Sequence, residues 1–234
     1  MNTIARAIAI ASITITAGCK VGVQTDIYTS DVMDVIDGKD GLTTPMVISF
    51  EVSGKDGCAD AGRGLAGPLA AAYGAADYIG CREVKFDKYA DFRVQADVVN
   101  EVINDISDSD QPLYIGVRAL DSDDGRNWVF VGYFTNDEAM KSLKDSIPGE
   151  FTIYMSANPE IRMSATLSND LRDNIEVFVD DVFVDGRALQ STQSFTLDRR
   201  GEVSISMSDV TNAAVAQGDA SAAIVHIPRN KAPD

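Results

Sequence analysis

Three cysteines, one histidine and 36 acidic side chains are the groups in this 234-residue chain whose chemistry could define a function. His226 is the only imidazole and sits in an apolar strand with Ala222 and Ile224. Serine hydrolysis through a Ser-His-Asp set, His-ligated zinc and haem ligation therefore lose their usual material, and a lone histidine there reads as a packed or edge residue. The carboxylate pairs Asp123/Asp124 and Asp180/Asp181 would suit glycoside hydrolysis only if two acids faced each other at about 5 Å or about 6.5–9.5 Å, which adjacency in sequence does not provide. The turn Asp121-Ser122-Asp123-Asp124-Gly125 offers oxygens to calcium, but it lacks the alternating aspartates and the terminal bidentate glutamate of an EF-hand. Asp121, Asp123 and Asp124 are thus weak calcium candidates, and a plain hairpin turn is the favoured reading. Gly62-Arg63-Gly64-Leu65-Ala66-Gly67 is a literal GxGxxG, yet some nine residues separate it from the preceding predicted strand. A dinucleotide would need those glycines directly between strand and helix, so a flexible loop is expected instead. No cofactor is implied.

Charge narrows the partners. A formal net charge of −16 repels phosphate backbones and anionic headgroups, so nucleic-acid binding and electrostatic docking on a membrane are disfavoured. Apolar content of 45% with 24% charged residues is that of a folded chain.

The amino-terminal segment sets the address. Arg6 precedes an apolar run, Ala7 to Thr16, of the length of a secretory core region and too short to span a bilayer, which takes about 20 residues. Thr16-Ala17-Gly18-Cys19 then resembles the lipobox of bacterial prolipoproteins, with Thr16 departing from the family's preferred Leu, Val or Ile. The resemblance implies removal of residues 1–18, acylation of Cys19, and attachment to the membrane through that lipid, since two or more chains anchor a protein stably. By the same resemblance, Lys20 after the cysteine points to the outer membrane, facing the periplasm. Once Cys19 carries lipid, Cys58 and Cys81 are left to pair in an oxidising compartment, two free buried thiols being the other reading.

The elements that must position these groups follow in order. A broken period of two runs over Val21, Val23, Thr25 and Ile27. Ser30 is placed to cap a short helix stopped by Gly38, and Pro45 to Val52 alternates as a strand. Pro68 is expected to open a helix carrying Leu69, Tyr73, Ala76 and Ile79 on one stripe. Strand patterns cover Val84 to Val99, then Leu113 to Leu120 and Asn127 to Phe134, the last two flanking a turn as a hairpin. Thr135-Asn-Asp-Glu138 reads as a capping box opening a helix to Ser146. Six further candidate strands follow: Glu150 to Ala157, Ile161 to Ser168, Asn174 to Val184, Ser194 to Leu197, Glu202 to Met207 and Ala222 to Ile227. The run from Asn169 to Gly186 resembles stretches of uncharacterised phage and prophage lipoproteins.

The expected fold class is α+β: an N-terminal region (19–148) with an antiparallel sheet and two or three short helices, then a β-rich, sandwich-like region (149–228), or a continuation of the same sheet, with a loose tail at 229–234. The expected function is a lipid-anchored envelope protein without catalysis, acting as an interaction or accessory module on a protein partner. A carboxylate-based hydrolase or a calcium- or sugar-binding module is the alternative.

Overall fold

The computed structural model describes residues 20–54, 56–101, 109–121, 127–148, 160–216 and 222–229. Its strands are β1 (Lys20–Tyr28), β2 (Leu42–Val52), β3 (Asp77–Val84), β4 (Asp87–Asn100), β5 (Leu113–Asp121), β6 (Asn127–Thr135), β7 (Glu160–Ser168), β8 (Ile175–Val179), β9 (Val182–Val184), β10 (Arg187–Leu189), β11 (Gln193–Leu197), β12 (Glu202–Met207) and β13 (Ala222–Arg229). The helices are α1 (Thr29–Ile36), α2 (Gly57–Tyr73), α3 (Asp137–Ser146) and α4 (Asp209–Ala216).

The α+β expectation fails. The described residues are 54% strand and 24% helix, and the strands form one nearly closed, barrel-like sheet. Its order is β10-β9-β12-β7-β1-β2-β4-β5-β6-β13-β8-β11, with β3 paired to β4 off the path. Strands from the two halves of the sequence interleave: β7 lies parallel to β1, and β13 lies antiparallel to β6. Periodicity reports which face of a strand is buried and carries no information about its neighbour, so a sandwich and a rolled sheet look alike in sequence.

Closure comes from the run between Asn169 and Gly186. β8 pairs with β11 and β13 near one margin, while β9 pairs with β10 and β12 near the other. Only Asp180 and Asp181 separate β8 from β9, and Asp181 turns with φ 51°. One stretch of chain therefore belongs to both margins and draws them together.

Alternation does the rest. Val21, Val23 and Ile27 of β1, Met46, Ile48 and Phe50 of β2, Phe92, Val94 and Ala96 of β4, and Val129, Val131 and Tyr133 of β6 are all buried in one core. Tyr133 satisfies its hydroxyl there by donating to the Ser164 carbonyl at 2.6 Å.

The helices differ from expectation in instructive ways. α1 starts at Thr29, with Tyr28 in the cap position and no side-chain cap of its own. Its cap comes from 140 residues away: Asp170 accepts from the Ser30 amide at 2.8 Å and from the Thr29 hydroxyl at 3.0 Å, and also from the Ser30 hydroxyl. Burial opposes ionisation of Asp170, but these donors outweigh it and hold its carboxyl below the usual aspartate value of 3.8. The folded pKa being the lower one, this contribution is complete above about pH 4 and is lost as the pH falls further. Asp170→Ala should cost about 1 kcal/mol, moderate because the carboxylate is solvent-screened, and the loss in denaturant midpoint should shrink between pH 5 and pH 3.

α2 begins at Gly57, eleven residues before the expected start, and stops at Tyr73, where Gly74 turns the chain with φ 78°. Ile79 consequently lies on β3 and not on the helix. The GxGxxG run lies inside α2, where its amides are spent on helix hydrogen bonds. Gly62 has a packing reason: a Cβ there would sit 3.1 Å from the Tyr78 ring. In α3, Asn136 is the cap, accepting from the Ala139 amide at 3.0 Å. α4 had no counterpart in the sequence reading.

Candidate ligand site at one end of the barrel

A cavity of about 380 Å³ lies against the sheet beside the start of β1. Its walls come from the first half of β1 (Val21, Val23), the second half of β2 (Ile48, Phe50), the start of β7 (Ile161, Met163), Leu113 of β5, Leu69 and Tyr73 of α2, and Val215 of α4. α3 supplies the rim: Met140 and Leu143 face the walls, while Asp137, Lys141, Lys144 and Asp145 bring charge to the opening. The volume falls within the roughly 300–1,000 Å³ of small-molecule sites, and apolar walls with charged groups at one edge suit an apolar body with a polar end. Val21, Val23, Leu69 and Tyr73 are on the stripes that the sequence shows, whereas Val215 lies on a helix with no sequence signal. The void is not predictable, because it arises from how sheet, α2, α3 and α4 meet.

Two acids stand at this opening. Asp137 and Asp145 both belong to α3 and both are exposed. Elsewhere the buried acids are already engaged: Asp91 takes a two-pronged ion pair from Arg82 at 2.9 and 3.2 Å, and Glu101 accepts from the Tyr114 hydroxyl at 2.6 Å. Among the described residues no group of three or more His, Cys, Asp or Glu side chains is gathered as a metal site.

The residues singled out from sequence are dispersed. Cys58, at the start of α2, is bonded to Cys81 on β3, with 5.7 Å between their Cα atoms. His226 lies on β13 opposite Phe178, edge-on to Phe130 with 5.3 Å between ring centroids. Burial holds its pKa below the usual imidazole value against the pull of Asp180. Asp180 and Asp181 form the exposed turn at the sheet closure. The proposed calcium turn lies outside the described residues apart from Asp121, which ends β5 with its side chain also outside them, and so does the expected strand from Glu150 to Ala157. Cys19 lies outside them too, but it directly precedes Lys20, the first residue of β1 and neighbour of the cavity-lining Val21. Lys20 is fixed at that end by Asp87, 2.8 Å away, and by Glu51 at 3.6 Å. No described helix is long and apolar enough to cross a membrane.

No curated protein and no solved structure matches the chain. A family model described as a domain of unknown function, DUF7424, matches residues 21–231, nearly all of the chain that follows the amino-terminal segment, and the protein belongs to that family.

Proposed function

We propose that the protein is a lipid-anchored, noncatalytic module of the bacterial envelope that holds a small amphiphilic molecule in its apolar cavity. The observation that carries the binding reading is the cavity itself: an apolar space of about 380 Å³ whose charged groups all sit on one rim helix. Apolar walls reward a hydrocarbon chain by roughly 0.8 kcal/mol per buried methylene, and Lys141 and Lys144 are placed to meet an anionic end at the opening. The anchor reading is supported by the Thr16-Ala17-Gly18-Cys19 ending and by the apolar run before it. Small-molecule capture is a form of the accessory role, and it asks for no general base and no metal.

Titration with a fluorescent long-chain fatty acid should give saturable one-to-one binding. Ile161→Trp, which places a ring at the mouth where Ile161 is only half-buried, should weaken that binding at least about tenfold, a change of about 1.4 kcal/mol, with thermal stability unchanged. Absence of saturable binding to the parent protein would remove the ligand reading.

A further inference from the structure

The hairpin joining β3 to β4 turns through Lys85 and Phe86, between the paired residues Val84 and Asp87. Lys85 adopts φ 58° to make that turn, and Phe86 is 98% exposed. Four of the large hydrophobic residues left exposed, Tyr78, Ile79, Val84 and Phe86, fall on this one hairpin. It is not a loose excursion. The Cys58–Cys81 bond ties β3 to α2, and Arg82 bridges β3 to Asp91 on β4 and to Ser49 on β2 at 3.1 Å. The tip is therefore presented by a braced ribbon, and an aromatic ring held out in solvent by a rigid support is a contact waiting for a surface.

The position of the tip identifies the surface. Asp87, the residue after Phe86, receives the Lys20 ammonium at 2.8 Å, and Lys20 follows directly on Cys19. A lipid on Cys19 would place the bilayer at this end of the barrel, beside Phe86. Lys85 sits next to the ring with an aliphatic stem and a charged head, the arrangement that lies along an apolar boundary while its ammonium reaches polar headgroups.

We propose that the Val84-Lys85-Phe86 tip is a second membrane contact, seating the phenylalanine ring at the bilayer interface and fixing the barrel with its cavity end toward the lipid. The inference rests on the anchor reading of Cys19 and deepens it by assigning an orientation. A single flexible tether leaves the protein free to tumble above the membrane, whereas tether and tip together define an axis.

The test uses the full acylated protein purified from membranes and reconstituted into zwitterionic vesicles, with Phe86→Trp compared with Tyr28→Trp. Tyr28 ends β1, about 27 Å along the strand from Lys20, and is itself partly exposed. The fluorescence added by Phe86→Trp should lie at shorter wavelength and be lost when the vesicle lipids carry bromine on their chains, while that added by Tyr28→Trp keeps its intensity. Equal emission from the Phe86→Trp protein in brominated and ordinary vesicles, with Cys19 acylated, would overturn the membrane contact and leave the anchor standing. Absence of acyl groups on Cys19 would overturn both.

Discussion

Asn169→Leu is expected to cost about 4 kcal/mol or more, because several buried groups lose their partner at once at about 1–3 kcal/mol each. Asn169 is fully buried. Its amide donates to the carbonyls of Asp173, Leu197 and Asp198 at 2.9, 3.0 and 3.2 Å, and its carbonyl accepts from the Leu171 amide at 3.2 Å and the Thr29 hydroxyl at 3.4 Å. One side chain thus joins the end of β7, the end of β11 and the start of α1, next to the run whose two strands close the sheet. Leucine fills much of the space and satisfies none of these groups. The urea midpoint should fall steeply at constant slope, while Asn174→Ala, which removes two exposed contacts, to the Asp198 carboxylate and the Arg199 amide, should cost about 0.5–1 kcal/mol. Similar losses for the two variants would mean that Asn169 is not the junction.

The second large effect concerns the bond between Cys58 and Cys81, whose sequence separation is 23. In the chain-entropy description, closing a loop of that length is worth about 3.5 kcal/mol. The Cys58→Ser, Cys81→Ser double variant should lose about that much, and a reducing agent should lower the melting temperature of the parent without touching the variant. The expected damage is local as well as global. β3 is a margin strand paired only to β4 among the described strands, so amide exchange should speed up first in β3 and in the first turns of α2. A variant as stable as the parent would show that Arg82 and the packing of Tyr78 on Phe92, with ring centroids 5.4 Å apart, already suffice to hold the ribbon.

How much of this was legible in the sequence depended on whether the signal was local. The broken period of two over Val21, Val23, Thr25 and Ile27 marked one face of β1, and all four side chains are buried. Ser30, by contrast, looked like the cap of α1 and instead became a donor to Asp170, because the competing acceptor lay 140 residues away and no local rule sees it. The helix through the GxGxxG run was missed because glycine suggests a loop by propensity, whereas α2 survives through the burial of Ala61, Leu65, Leu69 and Tyr73, tertiary packing overriding a weak intrinsic preference. The rolled sheet was missed because β7 and β13 find partners far back in the chain. For the same reason the cavity had no signature: its lining residues come from eight elements, and each apolar one alone is an ordinary core position.

Orientation, tip contact and the reading of the cavity as a membrane-proximal site all require that the chain be tethered at Cys19. The most direct measurement is the intact mass of the protein isolated from the membrane fraction, taken beside that of Cys19→Ala. The expected result is a chain starting at residue 19 and heavier than its sequence by acyl groups, with the Cys19→Ala protein absent from the membranes. A chain that retains residues 1–18, or one beginning at an unmodified Cys19, would contradict it.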